Sequence, residues 1–517
     1  MLGALLCVTV VACGDPAPGS GDTDPGAGSD AGTLDLARRP VVLISLDTCR
    51  ADALSSQGGT HSVSPVLDAF AAESIVFEHA RAQTPHTASS HMSLFTSQYA
   101  SRHRVQNVQH GKDPATGRQR PLIEAVPEAL PTLAEVLQAA GYRTVGLTDG
   151  GNLNRAHGFP RGFDEYTTEL SGVEAQVADG LEWLDTLTAA PADGGQAPPW
   201  FLFWHTYEIH APYVSPADYL EEWVGDDYQG PLRKVVADIA PLDFKGRFGA
   251  MRTTFWADKA NYGADEAAYM RELYDAGVNY TDDHLATLFA AMRERGVFDE
   301  AIVILLSDHG EEFAEHGKWQ HDQLYEEELR VPLMIRLPGG RNGGTRISTP
   351  VALIDVMPSL LQMLEVDISK VLPDKLDRMQ GESLVSALLE AREPRPRPIY
   401  SEVRNDRKGG PLFDWQIAIH HNGLKFIIDE YRGRPGDTSG WRAHQLYDLA
   451  ADPDERHDLV KKDENDPRIA RFMELRDRYK LDIEALATLE ALDSGGEISE
   501  AMMLQLCELG YLDDCGD

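Results

Sequence analysis

The chain has 517 residues, of which 42% are hydrophobic and 25% charged, and its formal net charge is −36. That length suits two to four domain-sized units, or one large core with a smaller companion. So acidic a chain excludes nucleic acid or an anionic membrane surface as its main partner, because both demand basic patches. A small anionic substrate stays open, since a bound cation or a few histidines can attract it.

The N-terminus reads as an address. "MLGALLCVTVVAC" is an apolar run of export-signal type. "VVAC" resembles the lipobox of bacterial lipoproteins, which implies a signal over residues 1–12 and lipidation of Cys13. Residues 13–39 are mostly Gly, Pro, Asp, Ser and Ala, which cannot build a core and are expected to form a tether. Roughly 25 such residues span about 25–30 Å. No run of 18 apolar residues occurs, so no ordinary transmembrane helix is expected. The lipid anchor would be the only membrane attachment.

From Val41 the pattern is α/β. Continuous apolar runs begin at Val41 ("VVLISL"), Arg143 ("RTVGLT"), Trp200 ("WFLFWHTY"), Ala301 ("AIVILLSD") and Val331 ("VPLMIRL"). Helical patterns lie between them, such as "PTLAEVLQAAG" and "DDHLATLFAAMRERG". This alternation predicts a large, mostly parallel sheet covered by helices on both faces. In such sheets function gathers beyond the carboxyl ends of the strands. Asp47 ends the first run, and Asp308 with His309 ends the fourth. These three are candidate metal ligands, in an O/N set that does not choose among Ca²⁺, Mg²⁺, Mn²⁺ and Zn²⁺.

Between those strand ends lies "QTPHTASSHMSLFTSQYASRH", with six hydroxyl side chains in its first fourteen residues. By itself such a segment reads as turn and helix-cap chemistry. Residues Ser215 to Ala264 carry aromatic and basic side chains that read chiefly as packed helices. From Pro394 the pattern turns antiparallel, with two strand-like runs around Asn422-Gly423, a strong hairpin signal. Residues 394–517 are expected to form a small α+β subdomain beside a catalytic domain over 40–393. Of the five cysteines, Cys7 would leave with the signal, Cys13 would carry the lipid and Cys49 follows a strand. Cys507 and Cys515 are candidates for a disulfide in an exported chain.

Many ordered motifs resemble the sulfatase family of the alkaline phosphatase superfamily. They include "VVLISLDTCRADAL", "TASSHMSLFTSQY", "GYRTVGL", "HTYEIHAPY", "VILLSDHGEEFAEHG", "WQHDQLYEEELRVPLMIRLPG", "LIDVMPSLLQML", "LYDLAADPDERHDL" and "LCELGYL". The resemblance spans roughly residues 40–512. Family sulfatases convert a Cys or Ser, in the pattern Cys/Ser-x-Pro-x-Arg, to formylglycine. Here Thr87 stands at that position, Ser89 replaces the Pro and His91 the Arg, so no formylglycine is expected. Ser97 and Arg104 stand where the family has Gly.

The resemblance implies a metal-dependent hydrolase of sulfuric or phosphoric esters, including phosphonates, acting on a small anionic substrate. Asp47, Asp308, His309 and the Thr87 oxygen would hold one divalent ion, with room for a second. Thr87 would be the nucleophile, with a covalent intermediate. His210, His316 and His321 would steady the transferred group and protonate the leaving oxygen. His91 would orient Thr87 or touch the substrate anion, while His86 and His205 read as ordinary hydrogen-bonded residues. A phosphoethanolamine-type transferase and an inactive binding protein are the alternatives.

Overall fold

The computed structural model describes residues 35–105, 109–112, 119–122, 125–191, 194–195, 197–376, 378–406, 413–431, 444–463 and 465–493. The expected signal, Cys13, most of the tether, Cys507 and Cys515 lie outside the described residues.

Eight strands form the main sheet: β1 Val41–Leu46, β2 Ile75–Phe77, β3 Arg143–Leu147, β4 Glu165–Thr167, β5 Trp200–Thr206, β6 Ile302–Ser307, β7 Leu333–Arg336 and β8 Arg346–Ile347. Their order across the sheet is β8-β2-β7-β6-β1-β5-β3-β4. β1 lies at the centre, parallel to β5 on one side and β6 on the other. All residues of these three strands are buried, which explains why they read as unbroken apolar runs. β7 is the exception to the parallel expectation, running antiparallel to β6 and to β2. The chain leaves β6 at the carboxyl edge and returns to the sheet from that edge, so the next strand must run the other way.

The pleat sorts the two faces of β1. Val42, Ile44 and Leu46 enter a core with Leu184, Leu285 and Phe289. Ser45 points to the opposite face, where its hydroxyl meets His91 at 2.8 Å. His91 belongs to α1 (Thr87–Thr96), every residue of which is buried. On the first face lies α2 (Ala264–Glu294), the long helix that continues into the "DDHLATLF" pattern. The Ser215–Ala264 segment packs as expected, as short helices with Leu232, Val236 and Ile239 buried.

The C-terminal sheet has four antiparallel strands in sequential order: β9 Ile399–Asp406, β10 Phe413–His421, β11 Leu424–Tyr431 and β12 His444–Asp448. Asn422 and Gly423 make the β10–β11 turn with φ of 52° and 76°, as an Asn-Gly hairpin requires. Helix α3 (Pro467–Asp493) contributes Phe472, Leu475 and Tyr479 to the core over this sheet. From Leu36 onward the chain forms one compact unit. Its C-terminal sheet is tied to the segment before Thr87: Ser401 Oγ donates to the Ala82 carbonyl at 2.6 Å, and Glu402 N to that of Gln83 at 2.8 Å.

Candidate active site

The parallel register delivers the acidic strand ends to one place. Leu46 is level with Thr206 on β5 and Ser307 on β6, so Asp47 and Asp308 leave the sheet side by side. Ligand atoms of Asp47, Asp308 and His309 lie within 4.8 Å of one another, and all three residues are buried. The loop after β6 is held tight by Gly310. A Cβ there would meet the Glu327 carbonyl oxygen at 1.9 Å, so only glycine lets the "DHG" backbone press against residues 327–328.

Hydrogen bonds set each group's free atom. His309 Nδ1 lies 2.9 Å from the Gly310 carbonyl, which requires the proton on Nδ1 and leaves Nε2 as a lone pair. Asp308 Oδ1 accepts from Thr48 N at 3.2 Å. Asp47 Oδ2 accepts from His205 Nε2 at 3.2 Å. Asp47 Oδ1 and Asp308 Oδ2 have no hydrogen-bond partner although both are buried. Burial pushes the Asp47 carboxyl up to about 8 against the pull of His321, with Glu311 adding to the rise. Burial, and then Asp47 itself, hold Asp308 well above the carboxylate range. Two buried carboxylates with unpartnered oxygens beside an imidazole lone pair fit a divalent cation. The fit is chemical as well as geometric, because a cation removes the reason both groups resist ionisation.

Thr87 is the first residue of α1. Its Oγ1 lies 3.4 Å from His309 Nε2. The position is a helix N-terminus, where the helix dipole favours negative charge. Ser90 Oγ donates to the Asp308 carbonyl at 2.7 Å, fastening α1 to the metal-side loop. Ser97 and Arg104, the two residues in glycine's place, have φ of 53° and 63°. Ser97 offsets that strain with its side chain, donating to the Ile354 carbonyl at 2.8 Å and accepting from Gly381 N at 3.1 Å.

The histidines separate into distinct situations. His91 is fully buried, with Nδ1 on the Thr87 carbonyl at 2.9 Å and Nε2 on Ser45 at 2.8 Å. It braces α1 from beneath and does not reach toward a substrate. His321 joins the site: its ring centroid is 4.4 Å from that of His309 and 5.3 Å from that of His210. Glu311 Oε1 receives its Nδ1 at 2.9 Å. Burial works against the charged form of His321, but Glu311, with Asp47 and Asp322, raises it to about 9. His210 behaves oppositely. Burial and the neighbouring His321 lower it to about 4, and its Nδ1 on the Ala211 carbonyl at 2.9 Å leaves Nε2 as an acceptor.

His316 does not join them. Its Nδ1 pairs with Glu327 at 2.6 Å, its Nε2 with the Glu455 carbonyl at 3.2 Å, and its ring stacks on Tyr325 at 3.6 Å. The hairpin Glu312–Phe313/Trp319–Gln320 explains the difference. Its strands return His321 to the level of Glu311, while its turn carries His316 toward the C-terminal sheet. Two residues that read as ordinary in the sequence lie at the site after all. His205 holds Asp47, and His86 pairs with Asp322 at 3.1 Å, its ring 6.3 Å from that of His321. Period-two alternation could have exposed His205, since Phe203 and His205 point to the side of β5 on which His91 lies, with centroids 5.8 and 5.1 Å from it.

Residues 39–366 match the family model described as Sulfatase. The chain belongs to the sulfatase family. It is 24% identical over 465 residues to the uncharacterized sulfatase YidJ of Escherichia coli (strain K12), covering 82% of this chain and 83% of that protein. It is 26% identical over 265 residues to the choline-sulfatase of Rhizobium meliloti (strain 1021), spanning 51% of this chain and 46% of the other. Among solved structures, a protein in complex with its substrate D-glucosamine-2-N,6-O-disulfate superposes with a TM-score of 0.63 at 17% identity, covering 87% of this chain and 98% of the other. The phosphonate monoester hydrolase of Agrobacterium radiobacter gives 0.59 at 19% identity, covering 88% and 96%. These likenesses establish the fold of a sulfatase-family ester hydrolase. Among the described residues, no helix is long and apolar enough to cross a membrane.

Proposed function

We propose that this sulfatase-family member is a divalent-metal-dependent ester hydrolase that uses unmodified Thr87 as its nucleophile, with phosphorus esters as its preferred class. The observation that carries this reading is the Thr87 hydroxyl at a helix N-terminus, 3.4 Å from the free nitrogen of His309, in a cluster where Asp47 and Asp308 each keep one unpartnered oxygen. Asp47, Asp308, His309 and Thr87 Oγ1 would hold the cation, which supplies Lewis acidity toward the ester's anionic oxygens and toward the Thr87 hydroxyl.

The remaining chemistry falls to the chain's own groups. Thr87 Oγ1 bonds to the central atom as the bond to the departing alcohol breaks; its proton passes to solvent water, and solvent returns one to His321 after that residue has protonated the alcohol. His321, protonated at neutral pH and held by Glu311 through Nδ1, presents Nε2–H to the leaving oxygen. His210, neutral with a free Nε2, accepts a proton from the water that opens the intermediate. Two neighbouring imidazoles pushed in opposite directions divide acid from base. The N-terminal end of α1, whose dipole favours negative charge, would face the anion's remaining oxygens.

Thr87 also bears on the substrate. A formylglycine hydrate releases sulfate by collapsing to an aldehyde, whereas a threonine ester has no such route. Water must attack the central atom, which is easier at a phosphoryl than at a sulfuryl ester. The sulfate-ester reading is favoured instead by the family match over residues 39–366. The test is a panel of 4-nitrophenyl phosphate mono- and diesters, phosphonates and aryl sulfates, assayed with purified metal-loaded protein. A phosphorus ester should be cleaved fastest, and a sulfate ester cleaved a hundredfold faster than any of them would reverse the proposal. "VVAC" further supports export with a lipid on Cys13; Cys13→Ala should then release the protein from the membrane fraction.

A further inference from the structure

We infer that Phe248 is a specificity-determining residue whose ring receives the departing alcohol of the ester, so that the site selects aryl over alkyl leaving groups. The inference rests on the reading of His210 and His321 as the groups that face that alcohol. Phe248 belongs to the short helix Phe244–Ala250, inside the Ser215–Ala264 segment. Its ring centroid lies 5.8 Å from that of His210 and 5.7 Å from that of Tyr207. The helix is fastened in this place. Asp243 caps its start, accepting from Gly246 N at 2.7 Å. Buried Arg247 donates through Nη2 to Glu208 Oε1 at 3.4 Å, and Glu208 Oε2 accepts from Val173 N at 3.1 Å. Glu208 is two residues from His210, so this bond pins the helix to the turn that presents the imidazole. Gly172 lets the layers close up, because a Cβ there would lie 2.8 Å from both the Glu208 carboxylate and the Phe244 ring.

Core packing does not use up the Phe248 ring. Later in the same segment Phe255 is fully buried, its centroid 5.8 Å from that of Tyr213. Phe248, by contrast, is half-buried, as are His210 and Phe244. Phe244 continues the apolar surface, its centroid 6.1 Å from that of Phe248. The direction of the reaction brings the alcohol to this surface. In a displacement through Thr87 the attacking and leaving oxygens lie in line, so the alcohol departs on the side away from Thr87. The water that opens the intermediate enters from that same side. The proton donor to the alcohol and the proton acceptor from the water must therefore share it. These are His321 and His210, with ring centroids 5.3 Å apart, and Phe248 stands against the second. An aryl group passing His210 meets an aromatic ring and gains ring contact with it, whereas a short alkyl group ends before reaching it.

Phenylphosphonate carries a phenyl group where the alcohol would be and cannot release it, and methylphosphonate is its short counterpart. Isothermal titration calorimetry on metal-loaded protein gives Kd for each. Phe248→Ala should weaken phenylphosphonate about tenfold and methylphosphonate by less than about twofold. Phe248→Leu, which keeps an apolar side chain without the ring, should weaken phenylphosphonate by about threefold and leave methylphosphonate unchanged. In turnover, Phe248→Ala should lower kcat/KM about tenfold for a phenyl ester and by less than about twofold for the trifluoroethyl ester of the same acid. Equal weakening of both phosphonates in Phe248→Ala, or weakening of neither, overturns the inference and leaves Thr87 and the histidines in place. If Phe248→Ala does not fold, Phe248→Leu decides: an unchanged ratio of the two dissociation constants overturns the inference. Binding of neither phosphonate to the wild type removes this inference and the reading beneath it together.

Discussion

Replacing Asp308 by Asn should stabilise the metal-free protein and abolish its stabilisation by metal. In the absence of a cation, Asp47 and Asp308 face one another in a buried site and each resists ionisation. The Asp47 carboxyl, raised to about 8 in the fold from 3.8 in an ordinary setting, costs nothing below its unfolded value. The cost grows as pH rises from there toward 8, because the unfolded chain ionises first. At pH 7 this is about 4 kcal/mol. Burial is the main source of that cost and stays with Asp47. The amide of Asp308→Asn would still accept from Thr48 N and, having nothing to ionise in the unfolded chain, removes the separate cost of keeping the buried Asp308 carboxyl neutral. For a folded unit of this size, with an unfolding entropy of about 2 cal/mol/K per residue, 1 kcal/mol moves Tm by roughly 1 °C. The variant's metal-free Tm at pH 7 should therefore rise above that of the wild type. Wild-type protein given a divalent ion at about 100 times its Kd should gain about 2.7 kcal/mol, or about 3 °C, and the variant almost none. Differential scanning calorimetry with chelator and with each of Ca²⁺, Mg²⁺, Mn²⁺ and Zn²⁺ reads both effects. An Asp308→Asn protein that melts below wild type in chelator, yet keeps a full metal-induced shift, refutes the assignment of these carboxylates as an unneutralised pair.

The other expectations concern the supports of the site. His321→Phe should lower kcat/KM by about 10²–10³-fold, as loss of a general acid does, while His316→Phe, which keeps the stack on Tyr325, should change it by less than about threefold; equal losses would return His316 to the chemistry. Gly310→Ala should destabilise by more than about 3 kcal/mol in denaturant titration and weaken metal binding, because its methyl collides with the Glu327 carbonyl at 1.9 Å. Lys425 is completely buried, with its ammonium 3.2 Å from Glu326 and 2.9 Å from Glu455. Glu326 keeps Arg81 and His420, so Lys425→Met should cost about 3–5 kcal/mol by leaving the buried Glu455 carboxylate without its cation, measured as a fall in the urea midpoint.

The parts of the site legible in the sequence are those imposed by the sheet. Asp47 and Asp308 each follow a six-residue apolar strand, and parallel strands must end at one edge. Thr87 is found by its register in a longer motif, since "TASSH" alone reads as a helix cap. The distinction between His316 and His321 stays hidden because a loop has no period. Left-handed residues at Ala314, Gly317 and Gln320 turn that hairpin, and only the fold shows which imidazole returns to Glu311. His205 is legible in principle, through alternation on a fully buried strand, but a lone His on such a strand more often satisfies a core hydrogen bond. Lys425 defeats reading by composition, since a lysine in a β-hairpin is expected at the surface. The opposing charges that bury it, Glu326 and Glu455, come from distant segments.

The central claim is that Thr87 forms the covalent bond. Metal-loaded protein should be mixed with its best 4-nitrophenyl ester, quenched in acid within milliseconds, digested and analysed by tandem mass spectrometry. The expected result is an adduct of the transferred group on Thr87, formed as fast as the first turnover, absent from Thr87→Ala and carried by the serine oxygen in Thr87→Ser. An adduct on Ser89 or Ser90, or full turnover by Thr87→Ala with no adduct anywhere in the segment, contradicts it.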